Sequence, residues 1–243
     1  MLQLLQPVYQ PVVDLEDSSH VLHYEALARI SGQLDGDAHV GLIRLAEEAR
    51  FIDHLDLAMV ERVLQETAFH DFGVAINVSP WTVEHAFHSV VVLLDQHRLV
   101  APRLVWELTE SLPPKDLRLI SRFREVIFDY GCRFALDDFG RGWFTESLVR
   151  QLKPDYLKTD GCLVQRAMTQ QCGAEFTRLL ELVQPWQGRV IVEHVDDVAM
   201  LPVLRDAGIR FGQGYLFGTP APLVGEVEGN RASDLASQAL VML

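Results

Sequence analysis

The sequence has few cysteines, and neither their number nor their spacing suits a structural role. There are three in 243 residues, Cys132, Cys162 and Cys172. An odd count is a poor basis for a disulfide framework, and the intervals do not match metal-ligand spacing. We expect reduced thiols, as in a cytoplasmic protein.

Basic residues are scarce as well. Lysine and arginine total 21 against 34 aspartate and glutamate residues, which gives a formal net charge of −13. A nucleic-acid polymer or an anionic membrane surface requires a basic face, so neither is expected as a partner. A small phosphate ligand stays compatible with this charge, because bound metal ions reverse the local field.

Long hydrophobic runs are absent too. No apolar stretch is long enough to span a bilayer, and no basic-then-apolar leader follows Met1. With 49% hydrophobic and 23% charged residues, the composition is that of a folded globular protein. We therefore expect no membrane segment in this chain.

Short apolar strands alternate with segments of helical spacing along most of the chain, as is typical of parallel βα units. Two earlier strands, Gln6–Leu15 and His20–Leu27, are predicted to form an antiparallel hairpin. The total of about eight strands favours a closed α/β barrel over an open sheet. The later predicted strands are Val74–Val78, Leu104–Leu108, Arg133–Leu136, Tyr156–Lys158, Arg189–Val192 and Ile209–Phe211. The predicted helices are Val40–Arg50, Leu55–Phe69, Val83–His97, Lys115–Tyr130, Phe144–Leu152, Ala174–Gln184 and Val198–Ala207.

The pattern continues without a linker rich in serine or glycine, so residues 1–243 are predicted to form one domain. The tail from about residue 225 has a polar start and a helix-like end. A final helix and a poorly ordered terminus both fit it.

Two neighbouring carboxylates, Asp137 and Asp138, follow the predicted strand Arg133–Leu136. Adjacent negative charges repel each other unless a cation lies beside them, which indicates a metal site. Glycines in the following FGRG segment allow a sharp turn. A solvated turn at the strand end is the alternative, because aspartate and glycine are ordinary turn formers.

Polar side chains also lie at the ends of nearly all the remaining predicted strands. A single such residue is more often a helix N-cap or a solvated loop residue. Seven strand ends together favour an active site, because the C-terminal ends of barrel strands meet on one face. The strand-end residues are Glu25, Asn77, Glu107, Asp137 with Asp138, Lys158 with Asp160, Glu193 and Gln213.

Oxygen donors dominate this set. Carboxylate and amide ligands favour Mg²⁺ or Mn²⁺ over zinc, and the number of carboxylates suggests two ions. Such a pair activates a water and holds the attacking and leaving oxygens of a phosphoryl displacement. Lys158 would orient that water or neutralise developing charge. A surface lysine is the alternative, although Asp160 lies two residues on, on the same side of the strand.

Several of these residues belong to motifs in which the sequence resembles the EAL domain family, phosphodiesterases of the bacterial second messenger cyclic di-GMP. The resemblance extends from Tyr9 to about Pro220. Its segments, in order, are Gln10–Asp14 (QPVVD), Glu25–Arg29 (EALAR), Asn77–Pro80 (NVSP), Glu107–Ser111 (ELTES), Asp137–Gly140 (DDFG), Lys158–Asp160 (KTD) and Gln213–Phe217 (QGYLF).

The resemblance implies a TIM-like (β/α)8 barrel with one antiparallel strand near the N-terminus. It also implies two bound ions, either Mg²⁺ or Mn²⁺, and hydrolysis of cyclic di-GMP to linear pGpG. A homodimer is expected on the same basis, and a regulatory protein partner is compatible with it.

The resemblance gives roles to individual carboxylates. By this resemblance, the ligands of a first ion would be Glu25, Asn77, Glu107 and Asp137. Asp137 would bridge to a second ion, whose other ligands look like Asp138 and Glu193, with Asp160 close by.

Catalytic and substrate-binding roles follow in the same way. Lys158 would position the attacking water, Glu193 is a candidate base, and Glu110 would brace the loop after Asp138. Arg29 is expected near a phosphate. The full set of expected substrate-contacting residues is Gln10, Leu27, Arg29, Asn77, Asp137, Gln213, Gly214 and Arg141.

Two segments depart from the family pattern. The loop after Asp138 usually reads DFG, then threonine or alanine, then GYSSL, whereas residues 138–146 read DFGRGWFTE. The usual Glu-Gly-Val-Glu is EHVD at residues 193–196. Arg141 would pair with a phosphate or with Glu110. A second hypothesis therefore stays open: a catalytically weak or inactive cyclic di-GMP receptor or protein-interaction module.

Overall fold

Eight strands close into a barrel in the computed structural model, which describes residues 4–30, 38–140, 142–161 and 173–223. Arg141 and the tail from about residue 225 lie outside the described residues. The strands are β1 (Leu5–Asp14), β2 (Val21–Ile30), β3 (Val74–Val78), β4 (Leu104–Leu108), β5 (Arg133–Phe139), β6 (Tyr156–Thr159), β7 (Arg189–Val192) and β8 (Phe211–Gln213).

Strand β1 is antiparallel to both of its neighbours, β2 and β8, and the other neighbouring pairs are parallel. The predicted α/β TIM-like barrel with one antiparallel strand near the N-terminus is therefore confirmed. Because β1 runs in the opposite direction, its N-terminal half lies at the face where the other strands end. Gln10 pairs with Glu25 at this level.

Helices follow the strands around the outside of the barrel. Their bounds are α1 (Ala38–Glu48), α2 (Ile52–Thr67), α3 (Pro80–His85), α4 (Phe87–Gln96), α5 (Leu117–Asp129), α6 (Glu146–Leu152), α7 (Gly173–Val183) and α8 (Met200–Asp206). The main core lies between strands and helices, where Trp106 of β4 meets Phe123 of α5 edge to face at 5.6 Å. Among the described residues, no helix has the length and apolar character needed to cross a membrane.

The single helix predicted over Val83–His97 is wrong, because the structure has two, α3 and α4. Ser79 caps the first helix, its hydroxyl accepting from the Thr82 amide, and Pro80 occupies the first turn. Ala86 then leaves the helical conformation, with φ −125° and ψ 15°. A break at one residue leaves the apolar spacing almost unchanged, so periodicity does not reveal it.

The last strand also differs from its prediction. It was expected at Ile209–Phe211, and β8 instead covers Phe211–Gln213. Ile209 bonds back to the Leu204 carbonyl, which makes it part of the turn after α8. The strand continues through Gly212 and Gln213, whose residue types carry no apolar strand signal.

Candidate active site

Side chains inside the barrel form two layers, separated by two residues along each strand because strand side chains alternate in direction. The lower layer contains Val12, His23, Ala75, Val105, Ala135, Tyr156, Ile191 and Phe211. The upper layer contains Gln10, Glu25, Asn77, Glu107, Asp137, Lys158, Glu193 and Gln213. Every strand thus contributes one polar side chain to the upper layer, at the face where the parallel strands end.

Lys158 lies at the centre of the upper layer and is fully buried. Its Nζ donates hydrogen bonds to Glu107 Oε2 at 2.8 Å and Glu25 Oε2 at 3.1 Å. It also forms ion pairs with Asp137 Oδ1 at 3.0 Å and Glu193 Oε1 at 3.1 Å. The surface-lysine alternative for Lys158 is wrong, and four of the predicted carboxylates converge on one cation.

Amide side chains hold Glu25 from two sides. Asn77 Nδ2 donates to Glu25 Oε1 at 2.8 Å, and Gln213 Nε2 donates to Oε2 at 2.7 Å. Gln213 also approaches Gln10 Oε1 at 3.4 Å, and Gln10 donates to the Gly218 carbonyl at 3.0 Å. These bonds fix the orientation of the Glu25 carboxylate toward the centre of the site.

The donor set fits a divalent cation. Oxygens of Glu25, Glu107 and Asp137 lie within 4.8 Å of one another. Among the described residues, Asn77 Oδ1 and Asp137 Oδ1 are buried without a hydrogen-bond partner, although Asp137 Oδ1 contacts Lys158 as an ion pair. Buried oxygens without donors are costly unless a cation binds them. Four carboxylates around one ammonium also leave an excess of negative charge.

The crowding of carboxylates changes their protonation. Burial raises the pKa of Glu107 to about 8 and that of Asp137 to about 6. Burial also raises the pKa of Glu193 well above its usual range. Burial acts in the same direction on Glu25, but Lys158, Asn77 and Gln213 outweigh it and leave the pKa of Glu25 lowered. Burial acts to lower the pKa of Lys158, yet the surrounding carboxylates raise it well above its usual range.

A β-bulge at the end of β5 presents Asp137 and Asp138 together. Leu136 pairs with Leu157 and Phe139 with Thr159, so both aspartates lie opposite Lys158 alone. Asp138 has a left-handed φ of 58°, which interrupts the strand alternation. The two carboxylates consequently line the same cavity instead of opposite faces of the strand.

This cavity has a volume of about 620 Å³ and opens next to the upper layer. Its polar side is lined by Glu25, Asn77, Asp137 and Asp138, and its apolar side includes Leu55 and Met59 of α2. Leu27 and Arg29, the predicted substrate-contacting residues of β2, also line it. The combination of an apolar wall and a polar floor is typical of a small-molecule binding site.

The loop after Asp138 is fastened to Glu110. The Gly142 amide donates to Glu110 Oε2 at 2.8 Å, and the Phe144 amide donates to Oε1. Thr145 then caps α6, where its hydroxyl accepts from the Leu148 amide. Glu146 forms an ion pair with Arg178 at 2.5 Å. Three atypical residues of this loop, Phe144, Thr145 and Glu146, therefore have specific contacts.

Three further residues lie at the same end of the barrel. Asp160 is buried just after β6. The space that a Cβ would need at Gly214 is filled by the Val195 backbone, so packing accounts for that glycine, and its substrate contact stays a prediction. His194 is exposed with a left-handed φ of 56°, and its ring lies over Gly161.

Sequence reasoning missed His23. Its ring is buried in the lower layer, meets Tyr156 edge to face at 5.2 Å, and lies 4.0 Å from Glu107 through Nε2. Burial and the nearby Lys158 lower the pKa of His23 to about 3, so the ring is neutral. Its position two residues before Glu25 was a usable signal, because alternation places both side chains inside the barrel.

Fold and site together define a class: TIM-like barrels with a buried cluster of oxygen ligands at the C-terminal ends of the strands. The comparison with family models agrees with this class. The model of the EAL domain matches residues 2–220, and the chain belongs to that family.

Relatives of known sequence include two named cyclic di-GMP phosphodiesterases. PdeF of Escherichia coli is 27% identical over 238 residues, covering 92% of this chain and 31% of PdeF. NbdA of Pseudomonas aeruginosa is 30% identical over 241 residues, covering 92% of this chain and 30% of NbdA. Uncharacterized protein Rv1354c of Mycobacterium tuberculosis is 31% identical, and the match covers 90% of this chain and 37% of Rv1354c. The chain spans about a third of the length of these relatives.

Solved structures show the same fold. The PaMucR phosphodiesterase in complex with c-di-GMP has a TM-score of 0.79 at 24% identity, covering 91% of this chain and 93% of its own. Klebsiella pneumoniae BlrP1 in complex with manganese and cyclic di-GMP has a TM-score of 0.75 at 23% identity. The match covers 90% of this chain and 56% of the BlrP1 chain.

Proposed function

We propose that this chain is a metal-dependent phosphodiesterase that hydrolyses cyclic di-GMP to linear pGpG. The observation that carries the proposal is the upper layer, where four carboxylates surround Lys158 beside a cavity of about 620 Å³. The names of the relatives and the ligands of the related structures support the choice of substrate.

In this proposal the carboxylates divide between two Mg²⁺ or Mn²⁺ ions. Bound ions would activate water and neutralise charge on the phosphate. The first set of ligands is Glu25, Asn77, Glu107 and Asp137. The second set shares Asp137 and adds Asp138 and Glu193, with Asp160 nearby.

The remaining groups act on water and substrate. Lys158 would hold the attacking water or neutralise the charge that develops on the phosphate. Glu193 would accept the proton of that water. Arg29 and Leu27 bind the substrate from the cavity side, and Gln10 and Gln213 keep Glu25 oriented.

The contacts of Glu110 favour an enzyme over a receptor. They hold the loop after Asp138 at two backbone amides, which keeps the bulged Asp138 in place beside Asp137. We further propose that the enzyme is cytoplasmic and dimeric. A regulatory protein partner stays a prediction from the resemblance.

The test of this function is product formation. The chain is incubated with cyclic di-GMP and Mn²⁺ or Mg²⁺, and pGpG is resolved by ion-exchange chromatography, with an EDTA-treated sample as the control. We expect pGpG with either ion and none with EDTA. Absence of product together with retained micromolar binding of cyclic di-GMP would contradict the enzyme and support the receptor.

Metal binding is expected to tighten as the pH rises from 6 to 8, the interval set by Asp137 and Glu107. Below the pKa of each group, the metal-free site holds a proton that a cation must displace. Affinity therefore falls toward acid, by up to about tenfold per pH unit for each displaced proton. Calorimetric titration with Mn²⁺ in two buffers of different ionisation enthalpy measures both the affinity and the protons released. A constant affinity with no proton release would contradict the raised pKa values.

A further inference from the structure

His23 is the one member of the lower layer that its surroundings do not explain. It is 2% exposed, its neighbours are mainly apolar, and within the described ranges neither ring nitrogen has a hydrogen-bond partner. Burying a polar group without a partner lowers stability. An apolar side chain of similar size would avoid that cost, so packing alone does not account for a histidine here.

A carboxylate oxygen of the upper layer lies close to the His23 ring. His23 Nε2 lies 4.0 Å from Glu107 Oε1, and this buried oxygen has no hydrogen-bond partner in the described part of the chain. The other oxygen, Oε2, accepts from Lys158 at 2.8 Å. The separation of 4.0 Å exceeds a hydrogen bond by about 1 Å. The terminal torsion of glutamate is soft, so the carboxylate can turn toward the ring.

We propose that His23 is a positioning residue for the metal site, donating its Nε2–H to Glu107 Oε1 when Oε2 exchanges Lys158 for a divalent cation. The inference rests on the proposed function, because it requires a cation at Glu107. A neutral imidazole has one N–H to donate, and the carboxylate has one oxygen left to accept it. Hydrogen bonds of this kind hold metal ligands in their binding orientation, and their loss weakens metal affinity.

The test compares His23→Leu and His23→Gln with the wild-type chain. Calorimetric titration of the metal-stripped proteins with Mn²⁺ gives the affinity, and urea unfolding in EDTA gives the stability. We expect His23→Leu to weaken Mn²⁺ binding by about tenfold without lowering the unfolding midpoint, since it removes an unpartnered polar group. His23→Gln keeps a donor and is expected to stay within about threefold of wild type. Tyr156→Phe, which alters the ring packed against His23, is the matched control and should leave the affinity unchanged.

A second measurement uses the wild-type ring itself. Protein labelled with ¹⁵N-histidine is titrated with Mg²⁺, and the His23 signal is identified by its loss in His23→Gln. We expect its Nε2–H proton to shift downfield as Mg²⁺ saturates. An unmoved signal would overturn the proposal even where His23→Leu does not fold.

Other outcomes separate the two proposals. Wild-type Mn²⁺ affinity in His23→Leu, or equal weakening in His23→Leu and His23→Gln, overturns the role of His23. A wild-type chain that binds no Mn²⁺ contradicts the proposed function instead.

Discussion

Replacement of Glu25 by glutamine is expected to lower the rate of cyclic di-GMP hydrolysis by about three orders of magnitude. Both oxygens of this carboxylate are used as acceptors. Oε1 accepts from Asn77, and Oε2 accepts from Lys158 and Gln213. A glutamine offers one oxygen, and its amide group would face one of these donors in either orientation. The variant therefore loses a proposed metal ligand and also disturbs the groups around it.

The measurement is kcat from pGpG formation at saturating Mn²⁺. Asp14→Asn is the matched control, because it removes one buried carboxylate at the opposite end of the barrel, where Asp14 pairs with Arg210 at 2.8 Å. We expect its kcat per folded molecule to stay near wild type. If Glu25→Gln retained a rate within about tenfold of wild type, the assignment of Glu25 to the metal site would be wrong.

Much of this site could be predicted because the signal is local and repeated. Strands β3, β4 and β7 begin and end where their apolar runs do. The polar residue at the end of each run then falls at the same face of the barrel by topology alone. The alternation of side chains also put Lys158 and Asp160 on the same side of their strand, which favoured a role in the site over a surface lysine.

Other features depend on contacts that no local pattern contains. The bulge at Asp137 and Asp138 is visible only as a shift in pairing between β5 and β6. In the described part of the chain, His23 has no hydrogen-bond partner, and its nitrogen Nε2 lies 4.0 Å from Glu107 Oε1. Neither fact can be read from the sequence. The position of one ammonium among four carboxylates is likewise a property of barrel closure, since these residues come from strands far apart in sequence.

Replacement of Lys158 by methionine is expected to destabilise the metal-free protein by about 3–5 kcal/mol and to make folding depend on a divalent cation. The change removes the cation that Glu25, Glu107, Asp137 and Glu193 share. Their negative charges are then buried without compensation, which is more costly than losing the pair as a whole. A divalent cation that binds only to the folded state restores the stability of the variant by mass action.

The loss of folding stability in Lys158→Met is expected to increase as the pH rises. Without Lys158, the carboxylates have higher pKa values in the folded state than in the unfolded state. The folded protein then binds more protons, so stability falls as the pH rises above the unfolded values of about 4. The deficit of Lys158→Met relative to wild type is therefore expected to be larger at pH 8 than at pH 5.

Urea unfolding in EDTA and in Mn²⁺, at both pH values, measures these effects. Lys115→Met is the matched control, because Lys115 is exposed and contacts the Trp81 ring at 5.4 Å. Its unfolding should resemble wild type under all four conditions. Equal stability of Lys158→Met and wild type in EDTA at pH 8 would mean that the four carboxylates are neutral without their lysine. That result would contradict the buried negative charge that this prediction assigns to the cluster.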